Sequence, residues 1–165
     1  MSTFFSFRRI RGAAATTAAL ALFAIPAIAI AGNGSSTRAT LAGPGGYCQG
    51  SSLSGSSAVG KVQLSTTTAT TPGFHDVQVD IKVSPGTLQA GTYDVYLVNL
   101  YRDDSGAIVG CSASPLSSAM TVKSNRWVDF HGTATRYTGE YELQVFVGAI
   151  GGAGYASAPA TLDVQ

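Results

Sequence analysis

Residues 76–84 read Asp-Val-Gln-Val-Asp-Ile-Lys-Val-Ser, and the alternation in them is unbroken. Successive side chains of an extended chain point to opposite faces. Val77, Val79, Ile81 and Val83 therefore share one face, and Asp76, Gln78, Asp80, Lys82 and Ser84 share the other. Such a strand is half buried, with one dry side and one wet side. Pro85-Gly86 ends it. The next strand starts at Gly91-Thr92, where Tyr93, Val95 and Leu97 point one way and Tyr96, Val98 and Leu100 the other. Apolar side chains on both faces mark a central strand, or one whose outer face meets something else.

The rest of the chain repeats this grammar. Asp103-Asp104-Ser105-Gly106 has the residues of a tight hairpin turn, and Ala107 to Cys111 returns as a strand. Ala119 to Val122 is a short strand, Ser124-Asn125 a turn, and Arg126 to Ala134 a strand with Val128 and Phe130 on one face. Tyr141, Leu143, Val145 and Val147 then alternate with Glu142, Gln144 and Phe146. Gly148 to Gly154 is a glycine-rich loop, and Ala158 to Val164 closes the chain. Nothing after residue 31 has the 3.6-residue period of a helix. About seven short strands with turns every ten residues or so predict an all-β chain, a Greek-key β-sandwich in one domain over residues 58–165.

The first 31 residues read differently. Arg8, Arg9 and Arg11 precede the apolar run Ala13–Ile30, and Ala27-Ile28-Ala29 and Ala29-Ile30-Ala31 are small-residue exits. A basic start, an apolar middle and an A-x-A exit predict a cleaved secretory signal peptide over residues 1–31. Leu41-Ala42-Gly43 is followed by Pro44 where a lipidated cysteine would stand, and the C-terminus has no apolar tail, so no stable membrane anchor is expected after processing. Residues 32–57 form a Gly/Ser-rich N-terminal segment, with one short strand at Thr37 to Leu41. The 165-residue chain has a formal charge of +1, but cleavage after Ala31 leaves seven basic against nine acidic residues, a net −2. No attraction to nucleic acid follows from that balance. The expected product is extracellular, and its alanine-rich leader has a bacterial composition.

Cys48 and Cys111 are the only cysteines. An even count without CxxC spacing, in an oxidising compartment, predicts one disulfide; two free thiols are the alternative. In the chain-entropy account such a bridge stabilises by about 4 kcal/mol.

Two stretches resemble known sandwiches. Tyr137-Thr138-Gly139-Glu140-Tyr141-Glu142-Leu143 resembles the immunoglobulin-like pattern D-x-G-x-Y-x-C, with Tyr137 and Leu143 at its outer positions. The resemblance implies that the Tyr141 hydroxyl bonds back to the corner before its strand. Leu88 to Val95, Gly106 to Cys111 and Ser117-Ser118 resemble the middle of the neocarzinostatin-type apoproteins, secreted seven-stranded immunoglobulin-like carriers of enediyne chromophores. That family has two short-range bridges, one starting where this chain has Val98 and Asn99, so its cysteine pattern is not kept. No ligand-cleft residue of the family can be matched to this chain.

Chemistry-bearing motifs are sparse. His75-Asp76 stands at a strand entrance, and Asp129 and His131 share a strand face with Trp127, but no G-x-S-x-G elbow presents a serine to either histidine. Glu140 and Glu142 flank Tyr141 on a polar face, Asp103 and Asp104 belong to a turn, and Gly151 to Gly154 lacks the lysine of a phosphate-cradling loop. No catalytic residue, metal site or cofactor is expected. Outward-facing Tyr96, Val98, Leu100 and Phe146 would form a large apolar patch, and these four with Trp127 are the candidate contact residues for a small hydrophobic ligand or a protein partner. The alternative is that the N-terminal segment, tied through Cys48 to Cys111, lies over them. The sequence thus predicts a secreted, non-enzymatic binding protein that uses an apolar sheet face or its end loops. An envelope module assembling through edge strands is the second reading, and a small secreted hydrolase the third.

Overall fold

The computed structural model describes residues 35–48, 56–68 and 71–165, and among these every regular element is a strand. The expected signal peptide lies outside the described residues. Eleven strands follow in order: β1 (Ser36–Gly45), β2 (Ser57–Thr68), β3 (Phe74–Val83), β4 (Gly91–Tyr93), β5 (Val95–Arg102), β6 (Ile108–Pro115), β7 (Met120–Val122), β8 (Val128–Tyr137), β9 (Gly139–Val147), β10 (Gly154–Ser157) and β11 (Ala160–Val164). One antiparallel sheet runs β6-β5-β9-β10-β1-β2-β3-β8, with β11 continuing beside β9, and β4 pairs with β7 in a second, small sheet.

The alternation in residues 76–84 decides how this sheet curls. Val77, Val79, Ile81 and Val83 of β3 are buried in the same cluster as Leu97 of β5, Leu143, Val145 and Val147 of β9, and Leu162 and Val164 of β11. Strands far apart in the sheet order can share one core only if the sheet folds back on itself. The result fits a β-sandwich, with each buried Val, Leu or Ile contributing roughly 1.5–3 kcal/mol. Local chemistry sets the turns. At Asp103–Gly106 the Gly106 N–H donates to Asp103 O at 2.9 Å, and Gly106 takes a φ of 82°, which glycine adopts without a side-chain penalty. The Asp103 carboxylate accepts the Ser105 hydroxyl at 2.6 Å and the Ala107 and Ser105 N–H groups, which together hold it below the usual carboxylate range.

Strand count and bounds differ from the expectation where pairing is long-range. The short strand expected at Thr37–Leu41 is the ten-residue β1, inserted between β10 and β2. The strand expected from Ala158 to Val164 is β11, and a further short strand, β10, precedes it at Gly154–Ser157, where none was expected. β10 pairs with Phe146 and Val147, then β11 pairs with Gly139 to Leu143, both along the same flank of β9. Between them the Val145 N–H has no strand carbonyl opposite, and the Ser157 hydroxyl accepts it at 2.9 Å. Gln144 Nε2 donates to Ser157 O at 2.9 Å. Gln144 and Ser157 are the buried polar residues of the described chain, and the pair repairs the ladder between β10 and β11. Alternation sets Gln144 beside Glu142 on the polar face of β9, yet Gln144 is fully buried, with Nε2 bonded to Ser157 O and Oε1 without a hydrogen-bond partner.

Candidate functional site

The apolar patch expected on the outer face of β5 and β9 is filled. Val98 and Phe146 are 0% exposed and Leu100 is buried, while Tyr96 is half-buried. The parity read from the sequence holds, since these side chains face away from the main core. They form a second apolar cluster with Ala156, and Tyr47, Ile108, Cys111 and Ala113 pack against it. The Tyr47 ring meets Phe146 edge-on with centroids 5.9 Å apart. Cys48, the next residue, is bonded to Cys111 of β6 with Cα atoms 5.9 Å apart. The bridge therefore holds the end of the first described segment against this face. Apolar area that would favour a ligand is already removed from water at Val98, Leu100 and Phe146, and Tyr96 alone of the four keeps part of its surface exposed.

Trp127, the fifth candidate, is different. It is 70% exposed just before β8. The outer face of β1, β2, β3 and β8 begins beside it, and cross-strand register sorts that face into rows. Arg38, Gln63, Asp80 and His131 lie opposite one another in one row; Thr40, Lys61, Lys82 and Asp129 form the next. Two concavities lie along these rows. One of about 460 Å³ is lined by Thr40, Gly60, Lys61, Lys82, Ser84 and Trp127. The other, of about 440 Å³, shares Lys61 and Lys82 and reaches Arg38, Gln63, Asp80 and His131. The shape has a local cause. Leu41 is opposite Gly60 while Ala42 is opposite Ala58, so Val59 is an extra residue and β2 bulges there. Gly60 lies so close to β3 that an added Cβ would stand 2.4 Å from Lys82 O.

The electrostatics of the face are uneven. His131 Nδ1 meets Asp80 Oδ1 at 2.5 Å and its Nε2 faces Asp129 Oδ1 at 3.5 Å. The hydrogen bond to Asp80, with the nearby acids, raises the imidazole above its usual value. Lys82 reaches Asp129 at 3.8 Å. Among the described residues, Arg38 donates to the neutral Gln63 amide and meets no carboxylate, and Lys61 has no carboxylate partner. Arg38, Lys61 and Lys82 escaped the sequence reading because each is an ordinary wet-face residue of its own strand. The signal was in the register, which no single strand carries.

The other residues weighed in the sequence form no triad or acid pair among the described residues. The Ser118 hydroxyl donates to the backbone carbonyl of His131 and not to its ring. His75 lies at the start of β3, where its Nδ1 has no hydrogen-bond partner. Glu142 accepts two 2.6 Å bonds from the Arg102 guanidinium, which separates it in role from Glu140. No protein-family model, curated protein or solved structure matches the chain.

Proposed function

We propose that this is a secreted, non-enzymatic binding domain of immunoglobulin-like build whose contact surface is the outer face of β1, β2, β3 and β8. The observation that carries the reading is Trp127, the only tryptophan, held 70% exposed at the mouth of a concavity. A large aromatic side chain left in water beside ordered polar rows is the usual anatomy of a contact site. The crossed pairing of β3 with β8 and of β5 with β9 supports a Greek-key, immunoglobulin-like connection, as does the 3.0 Å bond from the Tyr141 hydroxyl to Tyr137 O. The Cys48–Cys111 bridge and the basic-then-apolar leader support export. Because the β5–β9 face is filled, a small apolar ligand seated on Val98 and Phe146 is not the reading favoured.

An array of purified polysaccharides and extracellular proteins, probed with the oxidised protein, tests this. Binding lost on Trp127→Ala and kept on Ser114→Glu, on β6 at the far end of the sheet order, is the expected result. Binding indifferent to Trp127 overturns the proposal.

Assembly through an edge strand keeps one specific support. β6, Ile-Val-Gly-Cys-Ser-Ala-Ser-Pro, has no charge, exposes Val109, and pairs only with β5 among the described residues. Charged side chains are the common protection of an edge, and β6 lacks them. Sedimentation at rising concentration tests this: a wild-type dimer dissociated by Val109→Lys supports it, and a monomer throughout removes it.

A further inference from the structure

We infer that the Lys61–Lys82 pair, flanked by Arg38 and Trp127, is a binding site for an acidic saccharide; this rests on the contact face proposed above. Lys61 and Lys82 are direct cross-strand partners, which places their Cβ atoms about 5 Å apart. Like charges in that position repel. The neighbouring acids do not resolve the repulsion. Asp80 is engaged by His131 and by Gln78 Nε2, and Asp129, which faces His131, reaches Lys82 only at 3.8 Å. Arg38, diagonal to Lys61 on the neighbouring strand, adds a third cation that no carboxylate meets among the described residues. An anionic group between the two ammonium groups would remove the repulsion and gain charge-assisted hydrogen bonds.

The rest of the surface says what carries that anion. The two concavities lie on either side of the lysine pair and share it, so the surface from His131 to Trp127 has room for more than a single charged group. At one end the exposed indole offers an apolar ring face against which the C–H face of a sugar ring can lie. Thr40, Ser84 and Gln63 line the two concavities with neutral donors and acceptors suited to hydroxyl groups. Asp80 and Asp129 on the same face disfavour a polyphosphate backbone, which needs a continuous basic track. A chain of sugar rings with spaced carboxylate or sulfate groups satisfies all of these at once.

Because Trp127 is the only tryptophan, its emission reports the site directly. The oxidised full chain is titrated with a hexamer of galacturonate, with a sulfated oligosaccharide, with a neutral glucose hexamer and with single-stranded DNA of similar length. Saturable quenching by the galacturonate or the sulfated chain, weakened about fivefold by Lys61→Gln or Lys82→Gln and by raised salt, is the expected result. Which of the two acidic chains binds more tightly identifies the anion. Each variant is also melted; removing one of two opposed lysines leaves the midpoint unchanged or raised, which separates lost binding from lost fold. Equal binding of the neutral hexamer, unchanged by both lysine variants, overturns the anion assignment while leaving the contact face standing. Binding of DNA alone overturns the saccharide. If no saccharide binds and the array partners ignore Trp127→Ala, both readings fall together.

Discussion

Replacing Ser157 with alanine removes a single oxygen, yet it acts on the weakest point of the sheet. In the wild type that hydroxyl accepts the Val145 N–H at 2.9 Å and donates to Ala158 O at 2.9 Å. Val145 is fully buried and Ser157 nearly so. Neither β10 nor β11 has a carbonyl opposite Val145, so the variant leaves a backbone donor without a partner or water. An orphaned buried donor costs about 1–3 kcal/mol, while the bond to Ala158 O lies closer to solvent, where water substitutes for it. The expected loss is therefore about 2 kcal/mol, or roughly 5–8 °C in the melting midpoint for a chain of this size. Urea titration followed by Trp127 emission and far-ultraviolet dichroism gives the free energy, with Thr161→Ala at an exposed position of β11 as a control expected within about 0.5 kcal/mol. Gln144→Leu orphans Ser157 O but also removes the buried, unpartnered Gln144 Oε1, so it should cost less than Ser157→Ala. Because both variants disturb one bonded unit, the double variant should fall short of the sum. Ser157→Ala within the control's range would refute the reasoning, since the ladder break would then not depend on the hydroxyl.

Three further outcomes follow from the packing. Changing both Cys48 and Cys111 to alanine should lower stability by about 4 kcal/mol and raise binding of an apolar dye as Tyr47 releases Phe146, measured by denaturant titration and dye fluorescence. Gly154→Ala places a Cβ 2.5 Å from Val147 O and 2.7 Å from the Phe146 ring, so a loss of about 1–3 kcal/mol is expected by thermal melting. His131 should titrate above the usual 6.5 in an NMR pH series, and Asp80→Asn should bring it back down. The raised value means that its contribution to stability is complete below about pH 6.5 and is lost as pH rises through the folded value; with the ring well exposed, that contribution is small.

What the sequence made legible was whatever a single strand carries in its own alternation. The inward set of β3, the two apolar faces of β5, the hairpin at Asp103–Gly106 and the Cys48–Cys111 bridge are all local or nearly forced by composition. The hydroxyl bond of Tyr141 to Tyr137 O came from a seven-residue resemblance. Pairing partners are the opposite case. The placement of β1 between β10 and β2, the presence of β10 and the burial of Gln144 all depend on which strands meet, and periodicity is silent about that. The same limit shaped the site. Trp127 stood out by its residue type, whereas Lys61 and Lys82 became a pair only through the register of β2 with β3.

The two free ends of the sheet are not equivalent, and this bounds how copies of the chain can join. On β8 the Ser117 hydroxyl accepts the Thr133 N–H and Ser118 donates to His131 O, so two outward backbone groups there are spoken for. β6 has no such guard among the described residues. Unequal edges of this kind disfavour head-to-tail addition of copies. Joined through β6, two copies can meet only by pairing the same strand across a two-fold axis. Assembly of that kind would close at a dimer, and the two serine bonds on β8 disfavour further growth from the other edge.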